Sequence, residues 1–589
     1  MYDSLHARVR RDFKLPYWQG TFKTDVRHRN ATWDDQARRC IQIRENNIPE
    51  GQTLSNYDDY DGKFYKDNLI FKHIKWLVSM LIGSIVTYIL SSRVTFRDEN
   101  TEILENELND ISANLDIPKQ THYALYDGMY LGMGYVRRYW DKYDITVAEE
   151  TGKPKLEYVS AMKMYIDSTC QQPDKSDMKH IFHVEKRHYK ELIDEFPNLE
   201  EKFENRQDYD GMVEVVTVQF KKERLVDCVT VIDESQQPVK KWIVPVEDLQ
   251  KEREKGKPQP KGVEISLPYK KRTTFWYEAK FFPEFDYVIQ EPIYVGEISS
   301  YHIFQYAPRE RSAYSVGLCY YMMDMLDINI VLLTTLVLQA FRYQKVEKEI
   351  VPDALKNLQE YKEHGHKAGV HAWVKEDWKR KNPHADAVKY KPMPDFPSGL
   401  VMLNQMLNES MQNTSGVTKT MAGTPEYAAM SGVAVAQHMS AGQIYHKEEQ
   451  LKYQQFLTEI GRALMYDIAE YKDYPHYVSH LNEFNQQEMV LVNDPANSPL
   501  TYEPDRTTIT CNLIENIELV KQMEQELAMR LHQMGLMSGR RVLEYTSISN
   551  PTRTYEEAQH ELGMKRVCDF LNKNPELKNH IEMMMEQAA

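Results

Sequence analysis

The stretch that decides the architecture is residues 398–446, SGLVMLNQMLNESMQNTSGVTKTMAGTPEYAAMSGVAVAQHMSAGQIYH. These residues read as a helix, a small-residue loop and a second helix. Apolar residues recur at three- and four-residue spacing in its first part, which predicts one apolar stripe on a helix. The stripe comprises Leu400, Leu403, Met406, Leu407 and Met411. Gly416 is predicted to end this helix, since glycine tolerates the left-handed conformation of a C-cap.

The loop after Gly416 contains Gly423 and Pro425, which a continuous helix rejects. A second helix is predicted to begin after Ser431-Gly432 and to run toward Tyr471. A flexible loop held between two long helices is suited to contact a molecule that moves past it. The same stretch also fits an ordinary helical hairpin in a large soluble protein, so the assignment depends on the rest of the chain.

The composition describes a large folded protein with an acidic surface. A chain of 589 residues is too long for one hydrophobic core, since cores stop growing near ~250–300 residues, and roughly three or four domains are expected. Hydrophobic residues make up 42% and charged residues 27%, as in ordinary folded proteins. The net charge of -15 argues against tight, sequence-independent gripping of DNA over most of the surface, without excluding DNA.

The six cysteines favour a reducing compartment, because they are scattered and have no paired spacing. They are Cys40, Cys170, Cys228, Cys319, Cys511 and Cys568. This scatter argues against a disulfide scaffold and against a zinc ribbon. The first residues are charged and lack an apolar segment, so no signal peptide is expected.

Two apolar runs require a test as membrane spans. Residues 76–90 and 328–341 are about 15 and about 14 residues long, shorter than the ~20 residues that cross a bilayer. We therefore expect no membrane span, and interpret both runs as helices buried at a subunit or domain interface.

The N-terminal part is predicted to be helical. The first sixty residues are polar and rich in arginine, with a short helix starting near Trp33 and capped by Thr32. Long helices are expected over 64–96 and 101–131. Glu102, Glu105 and Glu107 fall along the second of these and are interpreted as a solvated face.

Gly132-x-Gly134 is interpreted as a joint between a helix and a strand. It is a weak dinucleotide motif, since the third glycine is missing and the glycines follow a helix. After it, residues alternate between two faces, as in a strand. From about 155 to 305, four segments rich in β-branched and aromatic residues predict a β-rich region and an α+β domain of about 300 residues.

The second half is predicted to alternate helices with small inserts. Residues 312–342 read as one long helix of about 45 Å, followed by a compact mixed insert over 343–397. Strands are expected at 489–493 and 507–512, then a charged helix over 514–534. The C-terminus is expected to be helical, with Asn574-Pro575 at a helix start.

Four segments in this order resemble tailed-bacteriophage portal proteins. They are DGMYLGMGYVRRYWD (127–141), MKMYIDST (162–169), RSAYSVGLCYYMMDMLDINIVL (311–332) and GVTKTMAGTPEYAAMSGVAV (416–435). Each motif is degenerate alone, but their order extends over some 550 residues, whereas residues 1–60 and the 343–397 insert match nothing specific in the family.

The resemblance implies an α+β, multi-domain, portal-like fold with an α/β wing, long stem helices, a small clip, a tunnel loop and a helical crown. The implied segments are the N-terminal wing (1–311), stem helix 1 (312–342), clip (343–397), stem helix 2 (398–416), tunnel loop (417–432), tunnel/wing helix with return wing strands (433–512) and crown (513–589).

The resemblance also implies a mechanical function without catalysis, cofactor or metal. Subunits would form a ring, twelvefold in the family, at one capsid vertex of the virion, after assembly in the host cytoplasm. Double-stranded DNA would pass through the ring during packaging and ejection. The clip would dock the large terminase and then tail adaptor proteins, and the wing would meet the major capsid protein and scaffold.

Three sets of residues are candidates for these contacts. The tunnel loop, expected to line the DNA channel, contributes Lys419, Thr420, Met421, Thr424 and Glu426. Packing between stems is expected at Leu332, Leu333, Leu336, Leu403 and Leu407. Docking to the clip is expected at Trp378, Lys379, Arg380 and Lys381.

The alternatives are a metal-dependent nuclease or other DNA-processing enzyme, and a non-viral helical scaffold or adaptor. The sequence contains no GxxxxGK[ST], HExxH or GxSxG motif. Four histidines in the 343–397 insert could suggest a metal site, but no cysteine lies nearby. These residues, His364, His366, His371 and His384, are interpreted as solvated or interface side chains. Convergent carboxylates of a nuclease cannot be recognised from sequence, so that alternative stays open here.

Overall fold

The computed structural model describes residues 3–47, 66–92, 99–145, 152–200, 211–233, 240–246, 263–284, 286–310, 312–344, 348–364, 370–390, 398–417, 446–472, 474–481, 487–493, 502, 504, 507–514, 525 and 528–534. Its helices are α1 (Asp3–Asp12), α2 (Leu15–Thr32), α3 (Asp34–Arg44), α4 (Leu69–Ile82), α5 (Glu99–Leu115), α6 (Ile117–Leu131), α7 (Tyr189–Glu195), α8 (Leu318–Gln344), α9 (Leu358–His364), α10 (Glu376–Lys381), α11 (Ser398–Ser415) and α12 (Lys447–Tyr471). The chain is a mixed α+β protein with several antiparallel sheets.

The strands are β1 (Ile85–Ser92), β2 (Met133–Asp141), β3 (Lys153–Val159), β4 (Met164–Ile166), β5 (His180–His188), β6 (Met212–Asp233), β7 (Lys240–Pro245), β8 (Val263–Ile265), β9 (Tyr269–Phe281), β10 (Val288–Gly296), β11 (Tyr301–Gln305), β12 (Lys348–Ile350), β13 (Val388–Tyr390), β14 (His476–Leu481), β15 (Gln487–Val492) and β16 (Thr507–Ile514). The largest sheet has the order β10-β9-β6-β5-β4, with β7 and β8 also pairing with β6. The others are β11-β2-β3, β1-β16, β12-β13 and β14-β15.

The β-rich region predicted for 155–305 is confirmed, since all four segments contain strands. The core of its large sheet is aromatic and is covered by the N-terminal helices. The rings of Trp18 and Phe220 lie 4.8 Å apart between centroids, and Phe22 packs against Phe182 at 5.3 Å. Burying such rings stabilises the sheet face that would otherwise meet water.

The joint between α6 and β2 is confirmed as the sequence predicts. Gly132 caps α6 in a left-handed conformation, with φ of 96°, which glycine adopts without a steric penalty. At Gly134, a Cβ atom would lie 1.8 Å from the carbonyl oxygen of Ala124. The strand can therefore leave the helix at close range only because both positions lack side chains.

Two of the long helices predicted near the N-terminus are wrong in extent. The helix expected over 64–96 ends at Ile82, and β1 follows, because Gly83-Ser84 interrupts the helix and the β-branched residues after it favour a strand. The helix expected over 101–131 is two helices. Asp116 separates them with φ of 47°, and Pro118 lies in the first turn of α6, where its missing N–H is tolerated.

The start of the long helix predicted over 312–342 is also wrong. Ala307 and Val316 form an isolated antiparallel bridge, and α8 begins only at Leu318. A Cβ at Gly317 would lie 2.4 Å from the carbonyl oxygen of Met129, so this approach needs glycine. Thr32 is likewise not the cap of α3, since it belongs to α2 and its hydroxyl donates to the carbonyl of His28.

The strands predicted near 489 and 507 are confirmed, whereas β14 was not predicted. The helix expected over 514–534 is wrong at its start, because Ile514 ends β16, although 528–533 is helical. The predictions for Ser431-Gly432 and for Asn574-Pro575 lie outside the described residues.

The chain divides into two compact units, Met1–Ile82 with Thr87–Asn512, and Gly83–Val86 with Leu513–Ala589. Among the described residues one helix is long and apolar enough to cross a membrane by length and composition. It is α8, through its span Leu318–Val337, with a mean hydropathy of 1.3. A core helix of a soluble protein can meet the same criterion. The run 76–90 is divided between α4 and β1.

Candidate assembly and DNA-channel surfaces

The stem hairpin, which we define as α8 with α11, is formed by two helices that pack side by side. They run in opposite directions, because Ser410 near the end of α11 meets Met325 in the first part of α8, 3.8 Å between oxygen and sulfur. The end of α11 at Ser415 is confirmed, with Gly416 in a left-handed conformation at φ of 71°. Sequence periodicity was sufficient to predict this helix.

The five leucines predicted for packing between stems have different environments. Leu332 is buried within its own chain. Leu333, Leu336 and Leu407 are half-buried, and Leu403 is 44% exposed. Leu403 therefore offers the largest exposed fraction of the five to a neighbouring molecule.

Other apolar residues of the stem hairpin are more exposed than the predicted leucines. Met402 is 64% exposed, Met406 57% and Ile328 53%. Met402 and Met406 are four residues apart and so lie on one face of α11. This spacing was readable in the sequence, but periodicity alone could not tell which side of the stripe α8 would cover.

Helix α4 contacts the residues on both sides of the segment 418–445. Its His73 is hydrogen-bonded to Ser415, 2.5 Å from Nδ1 to Oγ, and the ring of Trp76 lies 5.8 Å from that of His446 between centroids. His446 also interacts with the backbone of Gly416. One helical turn of α4 therefore holds both ends together, a role that sequence analysis did not identify.

We call the contact of His73 and Trp76 with Ser415 and His446 the loop clamp. Burial keeps its two histidines in the neutral form. It lowers the pKa of His73 to about 4, with Lys72 adding a smaller effect in the same direction. Burial also lowers the pKa of His446, although its interaction with the backbone of Gly416 opposes this. The predicted channel residues Lys419, Thr420, Met421, Thr424 and Glu426 lie outside the described residues.

The 343–397 insert has a small core of its own, which contains Ala354, Leu355, Tyr361 and Ala387. A two-stranded sheet closes it, with Glu349 opposite Lys389. Helix α10 contributes Trp378 to the edge of this core, while none of its residues is fully buried.

The cations predicted for docking, Lys379, Arg380 and Lys381, are exposed in the last turn of α10. Positive charge there is favourable because it meets the negative end of the helix dipole. Exposed Trp373 and Tyr390 belong to the same insert, at 64% and 59%. Large aromatic and arginine side chains are enriched at the energetic centres of interfaces.

The described part of the chain contains no group of three or more His, Cys, Asp or Glu residues that could hold a metal ion. His364, His371 and His384 are exposed, as predicted for solvated side chains, and His366 lies outside the described residues. The cysteines that the structure describes are all free and buried.

The prediction that the carboxylates of α5 form a solvated face is wrong at two positions. Glu105 accepts a hydrogen bond of 2.7 Å from the backbone of Leu90, and burial raises its pKa. Glu107 is buried and paired with Lys472. The helical spacing of these carboxylates was visible in the sequence, but their distant partners were not.

A family described as Phage P22-like portal protein matches residues 22–521. The chain therefore belongs to the P22-like phage portal protein family, which is structural rather than catalytic. Membership implies a capsid portal role in DNA packaging, at the capsid vertex of the virion. No curated protein matches the chain.

Proposed function

We propose that subunits of this protein form a closed ring of twelve at one capsid vertex, through which double-stranded DNA enters during packaging and leaves during ejection. The observation that carries this proposal is the exposed apolar surface of the stem hairpin, at Met402, Met406 and Ile328. In a closed ring, one patch of each subunit covers a different patch of the next. Such packing would remove these side chains from water and favour assembly.

In this arrangement the stem hairpins stand side by side around the channel, and the predicted leucines share the contact with the exposed methionines. Leu403 and the half-buried Leu333, Leu336 and Leu407 would lose their remaining exposure to a neighbour. Leu332 would act within its own subunit, by holding α8 against the other helices.

The substitution Met402→Asp tests this arrangement. Met402 is 64% exposed, so the isolated subunit should tolerate the carboxylate, whereas the ring would have to bury it. Met489→Asp is the matched control, because Met489 is 62% exposed and lies on β15, outside the stem hairpin. We expect rings from the control and folded, unassembled subunits from Met402→Asp. Equal ring yield from both variants would show that this face does not contact a neighbour.

The loop predicted over 417–432 would form the narrowest part of the channel. Lys419 is its only basic residue and Glu426 its only acidic one. Phosphate contacts by lysine and arginine add strong, salt-dependent affinity for DNA. A loop with one cation offset by one anion would therefore touch the duplex without holding it, as DNA passage requires.

Lys419→Glu tests this role, with Lys447→Glu at the exposed start of α12 as the control of equal charge. We expect both variants to assemble, and only Lys419→Glu to impair packaging or retention of DNA. Virions with that change that package and retain complete genomes would show that Lys419 has no important contact with DNA.

The 343–397 insert would dock the large terminase during packaging and tail adaptor proteins afterwards. Its support is the exposure of Lys379, Arg380 and Lys381, together with that of Trp373 and Tyr390 in the same insert. The region before the stem would contact the major capsid protein and scaffold. These partners, the assembly in the host cytoplasm and the absence of a membrane span are parts of the same proposal.

A further inference from the structure

Two asparagines of the stem hairpin have buried amide atoms that lack hydrogen-bond partners. Asn329 of α8 is 1% exposed, and neither its Nδ2 nor its Oδ1 has a partner among the described residues. On α11, Oδ1 of Asn408 is also buried without a described partner, whereas its Nδ2 donates to Oδ1 of Asn404 over 2.8 Å. The side chains of Asn329 and Asn408 therefore leave one donor atom and two acceptor atoms unsatisfied.

The antiparallel packing of the hairpin places these amides at nearly the same level. Ser410 of α11 meets Met325 of α8 at 3.8 Å. Asn329 is four residues after Met325 and therefore lies ~6 Å along the hairpin from this contact, at ~1.5 Å per residue. Asn408 is two residues before Ser410 and lies ~3 Å from the contact in the same direction. Asn404 lies ~9 Å from it, so Asn329 falls between the two asparagines of α11.

Both amides also lie on the inner sides of their helices. Asn329 shares a face of α8 with Met325, because residues four apart are neighbours on a helix, and Met325 contacts α11. On α11, Asn408 is three residues before the fully buried Met411 and on the side away from the exposed Met406. The axes of packed helices are about 8–10 Å apart, so one small molecule between the helices can reach both amides.

The unsatisfied atoms match the hydrogen-bonding capacity of water. A buried amide without partners destabilises a fold, because it has lost its bonds to solvent and gained none in the protein. Buried waters commonly remove this penalty by making about three hydrogen bonds to such groups. A water molecule can donate to the two oxygens of Asn329 and Asn408 and accept from the one Nδ2. A cation in the same place would leave the donor unpaired, and an anion would leave the two acceptors unpaired.

We propose that the stem hairpin contains a binding site for one ordered water molecule. The water accepts from Nδ2 of Asn329 and donates to Oδ1 of Asn329 and to Oδ1 of Asn408. It thereby joins α8 to α11 and holds their register, and with it the positions of Met402 and Met406 relative to Ile328. The site lies within one subunit, so the proposal does not depend on the ring.

The direct test is an experimental structure of the full-length protein at a resolution that shows ordered water. We expect one peak of density at about 2.7–3.2 Å from the two amide atoms of Asn329 and from Oδ1 of Asn408. A direct hydrogen bond between the two side chains, without water between them, would overturn the proposal. A water that contacts only one of the amides, or two amides without any partner, would overturn it as well.

Substitutions test the same site in solution. Asn329→Leu and Asn408→Leu each replace an amide by an apolar side chain of the same branched shape. Each single change removes part of the water's hydrogen bonds and leaves the other amide unpaired, so we expect a lower thermal midpoint. The double variant removes the water and the unpaired atoms together. Its midpoint should therefore fall by less than the sum of the two single shifts.

Asn30→Leu is the matched control, because it makes the same chemical change at an exposed position of α2. It should leave the midpoint as it is. Shifts of the two single variants that add up to the shift of the double variant would overturn the proposal, since one shared water couples the two positions. A higher midpoint in both single variants would also overturn it, because that result is expected of amides that bind no water.

Discussion

His73 and Ser415 lie 342 positions apart in the chain and are joined by a hydrogen bond of 2.5 Å. This bond fixes the end of α11 against α4, and Trp76 holds the start of α12 one turn further along the same helix. Ser415 and His446, which lie on either side of residues 418–445, are thus held by the same helix. In the proposed ring, the contact at Ser415 fixes where the tunnel loop begins.

His73→Ala should loosen this loop clamp while leaving the rest of the fold intact. A hydrogen bond of this kind contributes about 0.5–1.5 kcal/mol, so we expect faster proteolytic cleavage within 418–445, located by mass spectrometry of the fragments. Phe71→Ala is the control, because Phe71 is on the same helix and 39% exposed. Equal cleavage rates in the two variants would contradict a clamping role for His73.

Alanine should lower stability at Gly134, at the junction of α6 and β2, but not at Gly20 in α2. Gly134→Ala would place a Cβ atom 1.8 Å from the carbonyl oxygen of Ala124, and overpacking of this kind typically costs about 1–3 kcal/mol. Gly20→Ala is the control, since nothing lies within 4 Å of the added atom in α2. It should leave stability unchanged or raise it by about 0.4–1 kcal/mol. Thermal unfolding would check both, and an unaltered midpoint for Gly134→Ala would contradict the close approach.

Acidification should destabilise the fold through two buried histidines. Burial, assisted by nearby arginines, lowers the pKa of His302 and of His183 to about 3. Unfolded histidine has a pKa of about 6.5, so the unfolded chain binds protons that the folded chain excludes between these values. The stabilising effect of the neutral form is complete above about pH 6.5 and is lost as the pH falls toward 3.

Each histidine should therefore steepen the loss of stability by about 1.4 kcal/mol per pH unit in this window. His302→Gln should reduce the slope measured by urea unfolding between pH 6 and pH 4. His384→Gln, at an exposed position, should leave the slope as it is. A slope unaffected by His302→Gln would show that His302 is protonated in the folded chain.

Leu333→Asp and Leu336→Asp should block assembly of the ring. Both side chains are half-buried on α8, and an unpaired charge that assembly buries costs several kcal/mol. Ring yield measured by size-exclusion chromatography with light scattering checks this prediction. Normal yield from either variant would mean that the corresponding leucine faces solvent in the assembly.

The sequence predicted elements whose signals are local. Periodicity was sufficient for α11, and the Gly132-x-Gly134 pattern correctly placed the joint before β2. The sequence also predicted a single helix over 64–96, which is wrong. Residues on both sides of Gly83 are apolar, and periodicity does not distinguish a buried helix from a buried strand. The stem start was wrong for a different reason, since Val316 is held in a bridge by Ala307.

The candidate functional surfaces could be predicted only where their residues lie in a local sequence motif. Ordered motifs carried the resemblance to the portal family, and the family match over 22–521 confirms that recognition. The assignments of stem, clip and tunnel loop stay predictions. The loop clamp could not be predicted, because it joins His73 to Ser415, 342 positions further along the chain. Single-sequence patterns carry no information on such pairs.

The most direct test of the account is electron microscopy of the purified full-length protein, with its mass measured by light scattering. The account predicts closed rings of identical subunits around a central hole, with a mass twelve times the subunit mass of 69.4 kDa. A particle that remains at 69.4 kDa across a series of protein and salt concentrations would contradict it, as would open filaments without a closed ring.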